Sequence, residues 1–187
     1  IRDSHEEFGL PIEGFRHVSQ PDYHGSRLPG ETEIEYCDRL VSEFEILIEA
    51  EPEGTIAAFF AEPLSFSAGF KIPPRGYFEK IQKLLLSHEI QFVCDEVITG
   101  FGRTGSVLGS DAMDLEPDHV VMGKALTSGY FPLSAVSLGS SLYEGLEMGS
   151  EQYGVLAHAG TFSAHPVGAA AALKTLEIIE RDKLVDH

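Results

Sequence analysis

His119-Val120-Val121-Met122-Gly123-Lys124 and Ile90-Gln91-Phe92-Val93-Cys94-Asp95-Glu96 decide how this chain folds. Each is a short apolar run that ends on ionisable side chains, the pattern of a strand buried on both faces of a parallel sheet. Ligands of open α/β sheets sit outside the carboxyl ends of such strands, so Lys124 and the pair Asp95-Glu96 are expected at one crevice. Neighbouring residues on a strand point to opposite faces. One of the two acids therefore faces the crevice, and the other is structural or solvated.

The sequence around these runs supports an α/β chain with a mostly parallel sheet and flanking helices. Thr32 and Glu35 form a capping-box pair ahead of Ile34, Cys37, Leu40, Val41, Phe44, Leu47 and Ile48, which predicts a helix ending before Pro52. Residues 55–61 read as a strand, 64–74 as a loop, and 76–88 as a second helix carrying Phe78, Ile81, Leu84 and Leu85. Positions 90–94, 120–122 and 135–138 read as three further strands. Pro166 suits the first turn of a helix through Val-Gly-Ala-Ala-Ala-Ala-Leu. Residues 1–30 and the Gly-rich 99–116 read as loop, the latter with one helical turn.

Composition bounds the function. The 187 residues carry a formal charge of −17, which repels phosphate backbones and argues against nucleic acid as a partner. No apolar stretch is long enough to span a bilayer, so no membrane role is expected. Two cysteines are too few for a disulfide framework, and Cys94 lies inside a strand, which suits a reducing, cytoplasmic setting.

An amine and a carboxylate at neighbouring strand ends have two readings. One is a structural ion pair at the sheet edge. The other is a site for pyridoxal phosphate, in which the lysine captures the aldehyde and the carboxylate holds the proton of the ring nitrogen. A third signal competes: Gly100-Phe101-Gly102-Arg103-Thr104-Gly105 matches GxGxxG after a strand, the dinucleotide fingerprint. That fingerprint requires a helix opening at the third glycine to meet a pyrophosphate. Positions 106–114 hold another glycine and no apolar stripe, so a nicotinamide dehydrogenase is the weakest reading. Glu62, before Pro63, falls at the same crevice. Thr161 lies in a small-residue segment before a helix, where a hydroxyl meets a phosphate or simply closes a turn. His165, just before Pro166, reads as a helix-entry residue.

Taken together, Phe60-Ala61-Glu62-Pro63, Pro74-Arg75-Gly76-Tyr77-Phe78, Asp95-Glu96-Val97-Ile98-Thr99-Gly100-Phe101-Gly102-Arg103-Thr104-Gly105, Gly123-Lys124-Ala125-Leu126-Thr127-Ser128-Gly129-Tyr130 and Gly160-Thr161-Phe162-Ser163-Ala164-His165-Pro166 resemble the class III, or omega-type, aminotransferases. The resemblance implies the large domain of the aspartate-aminotransferase-like fold (fold type I) in αβα layers. It implies Lys124 as the lysine that binds pyridoxal 5'-phosphate, Asp95 as the carboxylate on the ring nitrogen, and Val97 as the side chain against the ring face. It further implies Thr161 reaching the cofactor phosphate of a neighbouring subunit in a homodimer with shared active sites, and Glu62 near the substrate. The implied reaction moves an amino group from an amine or omega-amino acid to a 2-oxo acid such as pyruvate. Ile98 and the segments Gly14-Phe15 and Pro21-Asp22-Tyr23 resemble the amine:pyruvate branch.

An aminomutase or epimerase of the same fold, or a non-catalytic fragment, are the alternatives. Where the family usually has a Gly-rich stretch, this chain has the bulkier Leu64-Ser65-Phe66-Ser67-Ala68-Gly69-Phe70. Residues 1–187 are expected to be part of the cofactor-binding large domain, without the family's upstream phosphate loop or its small C-terminal domain.

Overall fold

A computed structural model describes residues 9–10, 12–156 and 158–186. The expectation of loop at positions 1–8 lies outside the described residues. A one-turn helix, α1 (Tyr23–Ser26), interrupts the segment read as loop, and Asp22 caps it by accepting the Gly25 amide at 3.0 Å. The next helix, α2 (Glu33–Ala50), starts at the predicted capping box: Thr32 N–H donates to Glu35 Oε2 at 2.8 Å, and Glu35 N–H to Thr32 Oγ1 at 3.3 Å. Each satisfies an otherwise orphaned helix-end amide.

Four strands form one sheet in the order β1 (Ala58–Ala61), β2 (Gln91–Asp95), β3 (His119–Met122) and β4 (Ala135–Ser137). The pairs β1–β2 and β2–β3 are parallel, and β3–β4 is antiparallel. The first strand is shorter than the predicted 55–61. Before Ala58 only the carbonyl of Ala57 is drawn toward the sheet, accepting from Gln91 N–H at 3.1 Å. Helix α3 (Tyr77–Ser87) makes the crossover from β1 to β2 that a parallel pair requires.

The core lies where α2 and α3 cover one face of the sheet. Cys37, Leu40, Phe44 and Ile48 meet Phe78, Ile81, Leu85, Phe92 and Cys94 there. Phe59 joins it, with ring centroids 5.1 Å from Phe44 and 6.0 Å from Phe92. Burial of each such side chain contributes about 1.5–3 kcal/mol. Strand alternation turns the adjacent Phe60 to the other face, where it is 61 % exposed. Ile34, read as part of the α2 stripe, is 70 % exposed, and Tyr36 is fully buried instead. Its hydroxyl is satisfied by donating to the Gln20 carbonyl at 3.0 Å and accepting from the Asp22 amide at 2.9 Å.

Beyond β2 the chain makes a Gly-rich turn and a four-residue helix, α4 (Gly109–Ala112). Two longer helices follow the sheet: α5 (Ser140–Tyr153) and α6 (Pro166–Arg181). Sequence reading assigns nothing to α5, because Gly145 and Gly149 lie inside it and no residue of it is buried. Helix α6 starts where Pro166 predicts, and His165 caps it by accepting the Val167 amide on Nδ1 at 3.3 Å.

Candidate active site

Three strand ends converge. The register pairs Ala61 with Cys94, and Asp95 with Val121, so Glu62 follows β1 at the level of Asp95, and Lys124 follows β3 on the other side. Burial, first of all, pushes the Glu62 carboxyl above its usual range, and the charge of Asp95 adds to that. The Phe66 amide, the Ser65 hydroxyl and the Lys124 ammonium pull it down. Both Asp95 and Lys124 are thus within electrostatic reach of Glu62. A cavity of about 420 Å³ opens here, with Glu62, Asp95, Gln20, Ser65 and Val121 among its walls.

The two acids at the end of β2 have separate fates. Asp95 shares a face with Val93, away from the α2–α3 core. Its Oδ1 accepts the Val97 amide at 2.9 Å, while Oδ2 has no hydrogen-bond partner among the described residues. Glu96 points the other way and is fully buried. Its Oε2 accepts from the Thr99 hydroxyl and from Gly109 N–H at 2.8 Å, and its Oε1 accepts from Ser110 N–H at 2.6 Å. Cys94 Sγ–H adds a weak fourth bond to Oε1 at 3.9 Å, so the carboxylate closes the N-terminus of α4 and is fully engaged by the protein. Among the described residues no cluster of His, Cys, Asp and Glu suits a metal ion.

The same contacts explain the glycines. A Cβ on Gly109 would lie 2.6 Å from Thr99 Cβ, and one on Gly100 would lie 2.9 Å from the Glu96 carbonyl oxygen. Close approach of backbone to the buried Glu96 turn thus requires both, while Gly102 and Gly105 adopt positive φ. No helix opens at Gly105, so the GxGxxG pattern lacks the element that binds a pyrophosphate.

Lys124 opens a 3₁₀ turn (Lys124–Thr127) with φ 42°, a left-handed conformation unusual for a residue with a Cβ. Its side chain is exposed and makes no hydrogen bond or ion pair among the described residues. The Val97 methyls lie against the preceding Gly123, where an added Cβ would meet them at 3.6 and 3.7 Å. The structure thus gathers Glu62, Asp95, Val97 and Lys124. Thr161 stands apart, in an exposed turn in which Gly160 N–H donates to Ser163 Oγ at 2.9 Å, and it bonds to none of the four.

Sequence reasoning missed Gln20 and Ser65. Gln20 Nε2 donates to Ser65 Oγ at 2.8 Å, and Ser65 Oγ donates to Glu62 Oε1 at 3.3 Å. Gln20 lies 45 positions from its partner, and no local pattern announces such a contact. The departure at Leu64-Ser65-Phe66 was visible as a sequence, but not its role in holding Glu62.

A lysine and a carboxylate at the ends of adjacent parallel strands, with an aliphatic side chain nearby, are groups that could hold an aldehyde cofactor with a basic ring. The chain belongs to the class-III aminotransferase family, whose profile matches residues 2–187. It is similar to gamma-aminobutyrate transaminase 1, mitochondrial, of Oryza sativa subsp. indica, with 42 % identity over 98 % of this chain and 36 % of that protein. Diaminobutyrate–2-oxoglutarate transaminase of Halomonas elongata is 42 % identical over 98 % of this chain and 40 % of its own length. The crystal structure of the omega transaminase from Pseudomonas jessenii in complex with PMP superposes with a TM-score of 0.97 at 43 % identity, covering all of this chain and 41 % of that one. The fold is therefore the large-domain fold of this family (fold type I), and the chain spans about two fifths of the length of the curated relatives it matches.

Proposed function

We propose that the protein carrying this chain is a pyridoxal-phosphate-dependent transaminase, moving an amino group from an amine or omega-amino acid to a 2-oxo acid such as pyruvate. The observation that carries the reading is the placement of Lys124 and Asp95 at the ends of the adjacent parallel strands β3 and β2, with Asp95 Oδ1 pinned by the Val97 amide and Oδ2 without a hydrogen-bond partner among the described residues. The residues fit the cofactor: an exposed amine and a carboxylate oxygen that have no partner among the described residues, and the aliphatic Val97 against Gly123.

When bound, pyridoxal phosphate supplies an aldehyde that condenses with amines and a ring that draws electrons from the attached carbon. The chain does the rest. Lys124 Nζ would hold the aldehyde, and as a free amine would carry a proton away from and back to the substrate. Asp95 Oδ2 would hold the ring nitrogen and keep it protonated, because a nearby negative charge favours the cationic form. Its rigid Asx-type contact with Val97 fixes the direction of that oxygen. Val97 would shield the ring face from water, and Glu62 would lie on the substrate side.

The same reading makes the protein a homodimer with shared active sites. Thr161 would serve the neighbouring subunit's cofactor phosphate from its exposed turn, a placement supported by its having no hydrogen bond to the other four residues among those described. A cytoplasmic setting is part of the reading, supported by two buried free thiols, Cys37 and Cys94.

Borohydride reduction of the purified full-length protein mixed with pyridoxal phosphate tests it. A stable adduct is expected on Lys124 by peptide mapping, absent in Lys124→Ala, together with amino transfer to pyruvate or 2-oxoglutarate. An adduct on another lysine, or none, would refute the assignment.

A further inference from the structure

The link between β3 and β4 has an unusual backbone. The pairing of Met122 with Ala135 fixes its two ends. Between them Lys124 has φ 42°, Ser128 φ 52° and Gly129 φ 79°. A left-handed residue that carries a Cβ persists only where its surroundings over-determine it. The turn's own backbone does part of this. Leu126 N–H donates to the Gly123 carbonyl at 2.9 Å, and Ser128 N–H to the Ala125 carbonyl at 3.0 Å. These local bonds do not tie the turn to the rest of the fold, and two more left-handed positions follow it.

Thr127 makes the tie. Its side chain is 1 % exposed, and its hydroxyl donates to the Phe131 carbonyl at 2.6 Å, while Tyr130 N–H donates back to the Thr127 carbonyl at 3.0 Å. Phe131 is in turn clamped by α6. Its ring stacks on His165, the cap of that helix, with centroids 5.0 Å apart. A Cβ on Gly168 would lie 2.8 Å from Phe131 Cδ1, so only a residue without a side chain lets the ring lie this close to the helix.

We infer that Thr127 is a positioning residue for Lys124: by clasping Phe131 against Gly168 of α6, it locks the turn in the conformation that presents the amine to the crevice. Without the clasp the strained start of the turn is free to relax. A change of Lys124 to the right-handed region would carry its Cβ round the N–Cα bond by roughly 100° and re-aim the side chain.

What the amine then does rests on the transaminase reading, and the test separates the two. Crystal structures of the cofactor-free, full-length wild type, Thr127→Val and Thr127→Ser report the Lys124 backbone whatever the activity. In Thr127→Val, which keeps the shape and loses the hydroxyl, φ of Lys124 is expected to turn negative; Thr127→Ser should match the wild type. The second readout is the rate at which cofactor-free protein captures added pyridoxal phosphate, followed by the absorbance of the cofactor. Loss of the preorganisation held by one hydrogen bond is expected to slow capture about 5- to 10-fold in Thr127→Val, with recovery in Thr127→Ser. Thr55→Val removes another hydroxyl bond, to the Pro52 carbonyl at 2.6 Å, and should leave both readouts at wild type. An unchanged φ at Lys124 in Thr127→Val, or a loss of stability with capture at the wild-type rate, overturns the positioning role. If Thr127→Val fails to fold, Gly168→Ala carries the same test, because its Cβ would press Phe131 away from the helix. No capture by the wild type would overturn the cofactor reading, and the Lys124 backbone in the variants would then decide the positioning by itself.

Discussion

Replacing Glu96 should unfold this protein more readily than any change at its neighbour Asp95. In the folded state the Glu96 carboxylate is fully buried and accepts from the Gly109 amide at 2.8 Å, the Ser110 amide at 2.6 Å and the Thr99 hydroxyl. Glu96→Ala strands all three donors away from water. A buried donor left without an acceptor costs about 1–3 kcal/mol, so the loss is on the order of 4–6 kcal/mol once partial relaxation is allowed. That is a large share of the roughly 5–15 kcal/mol that holds an ordinary domain together. Glu96→Gln keeps the shape and one oxygen but turns an NH₂ group toward one of those donors, at a cost of about 2–3 kcal/mol.

Asp95→Asn is the control. It keeps an oxygen for the Val97 amide at a half-buried position and should stay within about 1 kcal/mol of wild type. Urea unfolding of the cofactor-free full-length protein is the assay, since bound cofactor would stabilise the native state by mass action. If Glu96→Gln unfolded within about 0.5 kcal/mol of wild type, or if Asp95→Asn cost more, the assignment of Glu96 as structural and Asp95 as functional would be refuted.

Asp95→Ala should lower kcat on the order of 10²-fold or more while most of the cofactor remains bound, because the carboxylate acts on charge in the reacting ring rather than on retention. Near-normal turnover, read by single-turnover absorbance, would refute its role. At the other end of the chain, bonding to Arg39 holds the Glu31 carboxyl down at about 2, against an ordinary 4.5. A depressed carboxyl stabilises the fold above its ordinary value and loses that contribution as the pH falls. The stability difference between wild type and Glu31→Gln should therefore be constant above pH 4.5 and shrink steadily from there toward pH 2. A difference that grows on acidification, in chemical denaturation at stepped pH, would refute the sign.

The elements legible in the sequence are those in which the local pattern and the tertiary environment ask for the same thing. The Thr32–Glu35 box, the apolar stripe through Leu40 and Phe44, Pro166 at the start of α6, and the strand ends at Glu62, Asp95 and Lys124 all fall where spacing and residue type place them. The bare GxGxxG pattern was also readable as a turn, because the helix it would need has no apolar stripe behind it.

Helix α5 escaped because two interior glycines and an exposed surface leave no stripe to read, so local signal and structure disagree there. The two acids show the limit most clearly. Alternation along β2 dictates that Asp95 and Glu96 face opposite ways, but only the folded chain assigns the sides. It does so by bringing Thr99, Gly109 and Ser110 donors to the buried side, where an uncharged or absent partner would leave them unsatisfied. The link from Tyr36 through Gln20 and Ser65 to Glu62 likewise exists only in three dimensions, since hydrogen bonds across 45 residues depend on packing and leave no periodic trace. Sequence supplied the reactive groups and their strands; packing decided which of them face the crevice and what holds them there.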